Sequence, residues 1–219
     1  ITYGDWSSDV CSSDLTAAPK IGVHTVNTFI GRNQFLSVSE NMKLFANVWL
    51  DIIKLAEDNG VRVAIENCPM LFTQSEWPGG KNLAVSPRIW REMFSIIPSA
   101  NFGLNFDPSH FVIQQMDYIR PIYEFKEKLF HVHIKDIKLY RNLLDEVGIF
   151  APPLDYLQPK LPGLGDVNWS KFISALTDVG YNGYICVEVE DKAFEDTLEH
   201  RYQSLIQSRR YISQFIVTE

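Results

Sequence analysis

The chain has 219 residues, a hydrophobic share of 46% and a formal net charge of −7, which suits one domain, or one incomplete larger domain, with enough apolar residues for a sizeable core. The acidic balance disfavours a nucleic-acid surface, which needs a basic stripe, and no run of residues approaches the length of a transmembrane helix. Cys11, Cys68 and Cys186 include no CxxC pair, so no disulfide framework is expected; with no charged-then-apolar segment at the start, a soluble cytoplasmic protein is the simplest expectation.

Residues 1–15, ITYGDWSSDVCSSDL, differ in character from the rest of the chain. The tripeptide SSD occurs at Ser7–Asp9 and again at Ser12–Asp14, with no apolar periodicity around it. The stretch resembles the translation of a sequencing-library adapter; a polar, disordered tail is the alternative. Residues 16–219 are then expected to form one incomplete domain. Its first strand candidate is Lys20–Phe29, rich in branched residues. A helix is expected over about Asn41–Asn59, capped by Ser39, because Leu44, Phe45, Val48, Trp49, Ile52 and Leu55 follow helical spacing and Gly60 supplies a stop. The strand Val61–Asn67 comes next, then a loop carrying PGG, then a helix opened by Ser86-Pro87 and closed near Ile97 before Pro98. Asn101–His110 holds a third strand, and Tyr118–Lys128 a third helix. Leu129–Asp136 holds a fourth strand. The proline-bearing segment Asp136–Asp166 reads as a long loop, either functional or disordered. A helix over Asn168–Val179, a strand over Tyr184–Asp191 and a helix over Phe194–Phe215 complete the chain.

Strands alternating with helices mean parallel strands with crossover helices. No Gly-rich phosphate loop interrupts them, so a dinucleotide-binding or P-loop fold has no support. Ligands of an open doubly wound sheet gather at one switch point, whereas here polar residues end four separate strands. That distribution needs a ring, and the fold class expected is a partial (β/α)8 TIM barrel with about five parallel strands. Such barrels take roughly 250 residues, so about three βα units are expected to be missing.

The four strand-end residues are Glu66, Asp107, His133 and Glu188. Taken singly, each has a bland reading: Glu66 as a salt-bridged or solvated carboxylate, Asp107 as the opener of an Asp-Pro turn. Together they offer hard oxygen donors and one imidazole, which suits a divalent ion with open positions, Mn²⁺ ahead of Mg²⁺, Co²⁺ or Zn²⁺, more than a closed structural zinc site. His131 and His133 share one strand face; the one nearer the carboxyl end is the ligand candidate, and His131 a hydrogen-bonded layer residue. Glu188 and Glu190 also share a face, and two inward carboxylates demand partners, one a metal and the other a cation or hydroxyl. His110 lies three residues beyond Asp107, where a loop turns its ring back toward the same place. Asn67 is a candidate hydrogen-bond donor. Trp77, in the WPGG loop, is either an apolar wall for a sugar face or a loop residue packed on its own helix.

In order along the chain, IENCPM, NFDPSH, HVHIKD, PGLGDVNW and VEVED resemble the xylose-isomerase-like sugar phosphate isomerase/epimerase family of TIM barrels, in its inosose-dehydratase-like branch. The resemblance covers about Pro19–Phe215. It implies that the strands are the fourth to eighth, and that Glu66, Asp107, His133 and Glu188 are metal ligands. It implies a substrate contact for His110. Leu139 stands where epimerase members carry an Arg, while Lys135 and Asp136 stand where dehydratase-like members carry their Lys-Asp pair.

The activity expected is metal-dependent isomerisation or epimerisation of a sugar or polyol, by proton transfer next to a carbonyl through an enediolate. Glu66 and Glu188 would move the proton, with Lys135, His110, Asn67, Asp136, Glu190 and Trp77 contacting substrate. The alternative is a metal-dependent dehydratase acting on an inosose-like ketone, which begins with the same proton abstraction. Abasic-site cleavage is less favoured, since five His and a net charge of −7 suit neither a metal cluster nor a DNA face. A non-catalytic binding barrel or an inactive fragment completes the alternatives. The partner expected is a small sugar or polyol, with neither nucleic acid nor membrane; homo-oligomerisation of a full-length protein is left open.

Overall fold

The computed structural model describes residues 8–70 and 80–217. Two compact units divide it: Ile1–Phe106 with Glu127–His131, and Asp107–Lys126 with Val132–Glu219. Five strands form one sheet in the order β1 (Thr25–Thr28), β2 (Arg62–Glu66), β3 (Phe102–Phe106), β4 (Leu129–Ile134), β7 (Tyr184–Val187). A separate antiparallel pair, β5 (Asp136–Leu139) and β6 (Leu157–Lys160), lies between β4 and β7 in the chain.

In the first unit, α1 (Ser8–Ala17) occupies part of the stretch read as a tail and buries Leu15. A turn of 3₁₀ helix over Ala18–Ile21 leads to β1, which is shorter than its branched composition suggests. α2 (Val38–Asp58) buries Phe45, Trp49, Ile52, Ile53 and Ala56 along one face. Its cap is Ser37, not the expected Ser39. Ser37 is extended (φ −63°, ψ 162°), its hydroxyl accepts from Glu40 N at 3.2 Å, and the Glu40 carboxylate accepts from Ser37 N at 2.9 Å. That reciprocal pair satisfies two donors at once, which a serine already inside the helix does not do. Gly60, at φ 63°, ends the helix as its position predicts.

β1 pairs parallel with β2, and β2 with β3, in the register Val63↔Phe102 to Glu66↔Asn105. Val63, Ala64 and Ile65 are buried, and Phe102 stacks on Phe45 from α2 at 6.0 Å. α3 (Pro87–Ile96) follows Ser86 and seats Trp90 edge-on to Phe106, with its indole N–H donating to Ala84 O at 2.6 Å. Gly103 has no room for a side chain: a Cβ there would run into the Phe130 ring, so β3 and β4 approach more closely than any other residue would let them.

In the second unit, α4 (Ser109–Ile113) opens directly behind β3. The helix expected over Tyr118–Lys128 is reduced to α5 (Arg120–Glu124) and a 3₁₀ turn over Lys126–Lys128. The segment Asp136–Asp166 is no unstructured loop. β5 and β6 form a hairpin around α6 (Arg141–Val147), closed over Ile137, Leu144, Tyr156 and Leu157. α7 (Trp169–Asp178), capped by Asn168, buries Trp169, Phe172, Ile173 and Leu176. α8 (Leu198–Ser213) starts at Thr197, whose hydroxyl accepts from His200 N at 3.0 Å. No described helix is long and apolar enough to cross a membrane.

Candidate metal centre

The strand exits carry the chemistry, and in the second unit three of them gather. Asp107 follows β3 directly. It is fully buried, and its Oδ1 accepts from Ser109 N at 2.8 Å, the Asx turn that Asp-Pro predicts. Its Oδ2 lies 3.2 Å from His110 Nε2, so the ring three residues on does turn back onto the carboxylate. His133 lies near the carboxyl end of β4, and Glu188 N donates to Ile134 O at 3.1 Å, which sets the register of the residues after β7 against those after β4. In that register His133 Nδ1 stands 3.1 Å from Glu188 Oε1. His131, two residues back on the same face, meets Asn105 Oδ1 at 3.0 Å.

Lys135 enters the same group from the residue after β4. Its Nζ lies 2.8 Å from Glu188 Oε2, 3.5 Å from Glu190 Oε2 and 3.8 Å from Asp107 Oδ2. Burial by itself would lower the pKa of this lysine; the charges of Asp107, Glu188 and Glu190 outweigh it and hold the ammonium protonated well above the usual range.

Two features fit a divalent ion. One ligand atom from each of Asp107, His133 and Glu188 lies within 4.8 Å of the others. Ligands at right angles, each about 2.1 Å from an ion, are about 3 Å apart, which is the spacing of the His133–Glu188 pair. The charge also fits: among the described residues the Lys135 ammonium lies within 3.8 Å of three carboxylates, Asp107, Glu188 and Glu190, a donor-rich anionic group of the kind that suits a divalent cation.

In the first unit, Glu66 is the last residue of β2 and is buried, as is Asn67. The register places Glu66 opposite Asn105, two residues before Asp107. Asn82, fully buried, holds this exit: its amide donates to Glu66 O at 2.8 Å and Cys68 O at 2.6 Å, and its Oδ1 accepts from Ala84 N at 3.0 Å. Nothing in its GGKN context marks it out. Trp77 lies outside the described residues.

Asp136 is corrected from the substrate-binding set. It is fully buried, and its two oxygens accept from Ile137 N (2.9 Å), Gly163 N (2.8 Å), Val167 N (3.1 Å) and the Trp169 indole (2.9 Å). A carboxylate so engaged has no acceptor left for a sugar. Asp191, which sequence reasoning passed over beside Glu188 and Glu190, is buried in the same way. It pairs with Lys160 Nζ at 3.3 Å and accepts from Leu161 N and Ala193 N.

Among known proteins, the chain is similar to the inosose dehydratase of Clostridium perfringens, 31% identical over 118 residues, which make up 51% of this chain and 37% of that protein. The chain thus spans well under half of that relative. Its fold is similar to a crystal structure of the IolI protein with a zinc atom (TM-score 0.71, 19% identity, 95% of this chain and 70% of that one). It is similar also to that of D-psicose 3-epimerase with D-tagatose from Clostridium cellulolyticum H10 (TM-score 0.67, 14% identity, 96% and 71%). The family described as xylose isomerase-like TIM barrel matches residues 5–212. With five strands in barrel succession and that match over nearly its whole length, the chain belongs to the xylose isomerase-like TIM barrel family and carries part of its (β/α)8 fold.

Proposed function

We propose that this chain is part of a divalent-metal-dependent enzyme that moves a proton next to the carbonyl of a sugar or polyol. The observation that carries the reading is the gathering of Asp107, His133 and Glu188, each buried or half-buried, in a donor-rich anionic group with Glu190 and Lys135. Those three, with Glu66 from the end of β2, would hold the ion, Mn²⁺ first among the candidates. Bound there, the ion supplies Lewis acidity for a carbonyl and its neighbouring hydroxyl.

The chain's own groups supply the rest. Glu188 and Glu66 are the bases proposed to remove and return the proton, Glu66 buried at the end of β2 and Glu188 half-buried after β7. The Lys135 ammonium, held charged, donates to an oxygen that gains negative charge as the proton leaves. His110, packed on Asp107, orients a substrate hydroxyl. Glu190 keeps Lys135 aimed into the site. Asn67 remains a proposed donor.

Dehydration of an inosose-like ketone is the second reading, favoured by the likeness to an inosose dehydratase and by Lys135 at the exit of β4. Both reactions begin with the same proton. Incubation of the chain with Mn²⁺ and a panel of ketoses and inososes in D₂O, followed by NMR and mass spectrometry, separates them. An epimerase or isomerase takes up deuterium with the carbon skeleton and oxygen count unchanged; a dehydratase gives a product lacking one water. Absence of any product from every metal-loaded reaction, neither isomerised or deuterated at carbon nor lacking water, would overturn both.

A further inference from the structure

Lys135, buried in the site, and Glu190, which meets its ammonium at 3.5 Å, are each followed at once by a buried aspartate engaged elsewhere. Asp136 takes Gly163 N, Val167 N and the Trp169 indole; Asp191 takes Leu161 N and Lys160 Nζ. Both anchors grip the same stretch, Lys160–Trp169. Two glycines of that stretch are closely approached by other groups. A Cβ at Gly165 would collide with Asp136 Oδ1 and Ile137 O, and one at Gly163, at φ 92°, with the Tyr211 ring. Asp166 adds a return contact, accepting from Leu139 N at 2.7 Å while its own N–H donates to Ile137 O at 2.8 Å.

We infer that Asp136 and Asp191 are positioning residues, and that Lys160–Trp169 is a clasp through which they set the Lys135–Glu190 ion pair. Neither aspartate touches that pair with its side chain, yet each fixes the backbone one bond away from it. The pair itself is 3.5 Å apart and joins the ends of β4 and β7. Fixing one end from a stretch that also fixes the other keeps the ammonium aligned with Glu188 and Glu190 together. The inference rests on the proposed site, but its test needs no turnover.

The test is acetylation of the purified chain with N-hydroxysuccinimide acetate, with the rate at Lys135 read by mass spectrometry. In the parent chain Lys135 is 7% exposed and ion-paired, so it reacts slowly. In Asp136→Asn an amide N–H₂ faces backbone donors, and in Asp191→Asn the Lys160 contact is lost; in each, acetylation of Lys135 is expected to rise about tenfold, the factor that corresponds to about 1.4 kcal/mol of local stability. Trp169→Phe, which removes one donor and keeps the ring packing, gives a smaller rise and serves if the first two fail to fold. Leu176→Ala, an apolar truncation farther along α7, is the control matched for overall melting temperature, and Lys135 stays protected in it. The decisive residue pair is Lys160 and Lys135 in Asp191→Asn. If Lys160 becomes reactive while Lys135 stays as slow as in the parent, or if the control exposes Lys135 equally, the clasp does not position the site. Failure of the proposed reaction with an intact labelling pattern would leave the clasp standing and remove only the chemistry assigned to it.

Discussion

The exits of β2 and β4 are secured in opposite senses. After β2 the side chain is the donor and the backbone the acceptor: the neutral Asn82 amide binds Glu66 O and Cys68 O. After β4 the side chain is the acceptor: Asp136 takes three backbone N–H groups and an indole. Burying an amide costs much less than burying a carboxylate, so the use of an aspartate needs a reason. The count of donors supplies it. An amide oxygen has two lone pairs, whereas the two oxygens of a carboxylate serve all four donors converging after β4. The lesson is that the β4 exit accepts the cost of a buried anion to close a hairpin and a turn over one point, while the β2 exit needs only to hold two carbonyls.

Removing a proposed ligand gives the largest effect expected. Asp107→Asn or His133→Ala should weaken Mn²⁺ binding, measured by isothermal titration calorimetry, by more than about 100-fold, since even partners outside a ligand shell are worth 10–100-fold. Affinity equal to that of the parent would take the ion away from the exits of β3, β4 and β7.

Next comes the charged anchor. Asp136→Asn should cost about 3 kcal/mol in urea unfolding, because its N–H₂ meets donors in place of an acceptor. The cost should vary with pH. Burial raises the Asp136 pKa above its ordinary 3.8, with the Trp169, Val167, Gly163 and Ile137 donors pulling the other way. A raised folded value means that this group's contribution is fully present below the ordinary value and is lost as pH rises through the folded one. The gap between the parent and Asp136→Asn should therefore be widest in acid and shrink as pH rises from about 3.8, with a slope of at most about 1.4 kcal/mol per pH unit. A gap that widens with pH would mean that the four donors outweigh burial.

Asn82→Leu sharpens the contrast from the neutral side. It strips two carbonyls and Ala84 N of their partner, for a loss of about 2 kcal/mol. Because no proton is involved, the loss should be the same across that pH range; a pH-dependent loss would show that the β2 exit also depends on a charge.

What the sequence discloses divides along similar lines. The face of α2 is legible because Phe45, Trp49 and Ile52 repeat at helical spacing, and the ends of β2, β3 and β4 because an apolar run stops at a charged residue. The hairpin of β5 and β6 is hidden by Pro159, which reads as a strand breaker yet pairs with Ile137; in a two-stranded pair every strand is an edge, where a proline is tolerated. α4 and α5, five residues each, are too short to show a period and depend on packing to form. Asn82 and Asp191 escape notice for another reason. Each has a local partner two residues on, but the partners that give it its place lie 14 and 16, and 30 and 31, residues away, so only the folded chain brings them together. Asp136 misleads because a buried acid beside Lys135 looks the same in sequence whether it faces a substrate or the backbone.

Ser37 tests the comparison at its mildest, where one hydroxyl both donates and accepts. The hydroxyl takes Glu40 N while the Glu40 carboxylate takes Ser37 N and the Ser37 hydroxyl, so Ser37→Ala breaks both side-chain links of the box and leaves the backbone one. The expected loss is about 1 kcal/mol in urea unfolding. Ser39→Ala, one turn position inside the helix, should change stability far less, since Ser39 lies within α2 and caps nothing. If the two substitutions cost the same, the start of α2 is set by its apolar face rather than by its cap, and short-range side-chain anchors matter less in this fold than the exits of β2 and β4 indicate.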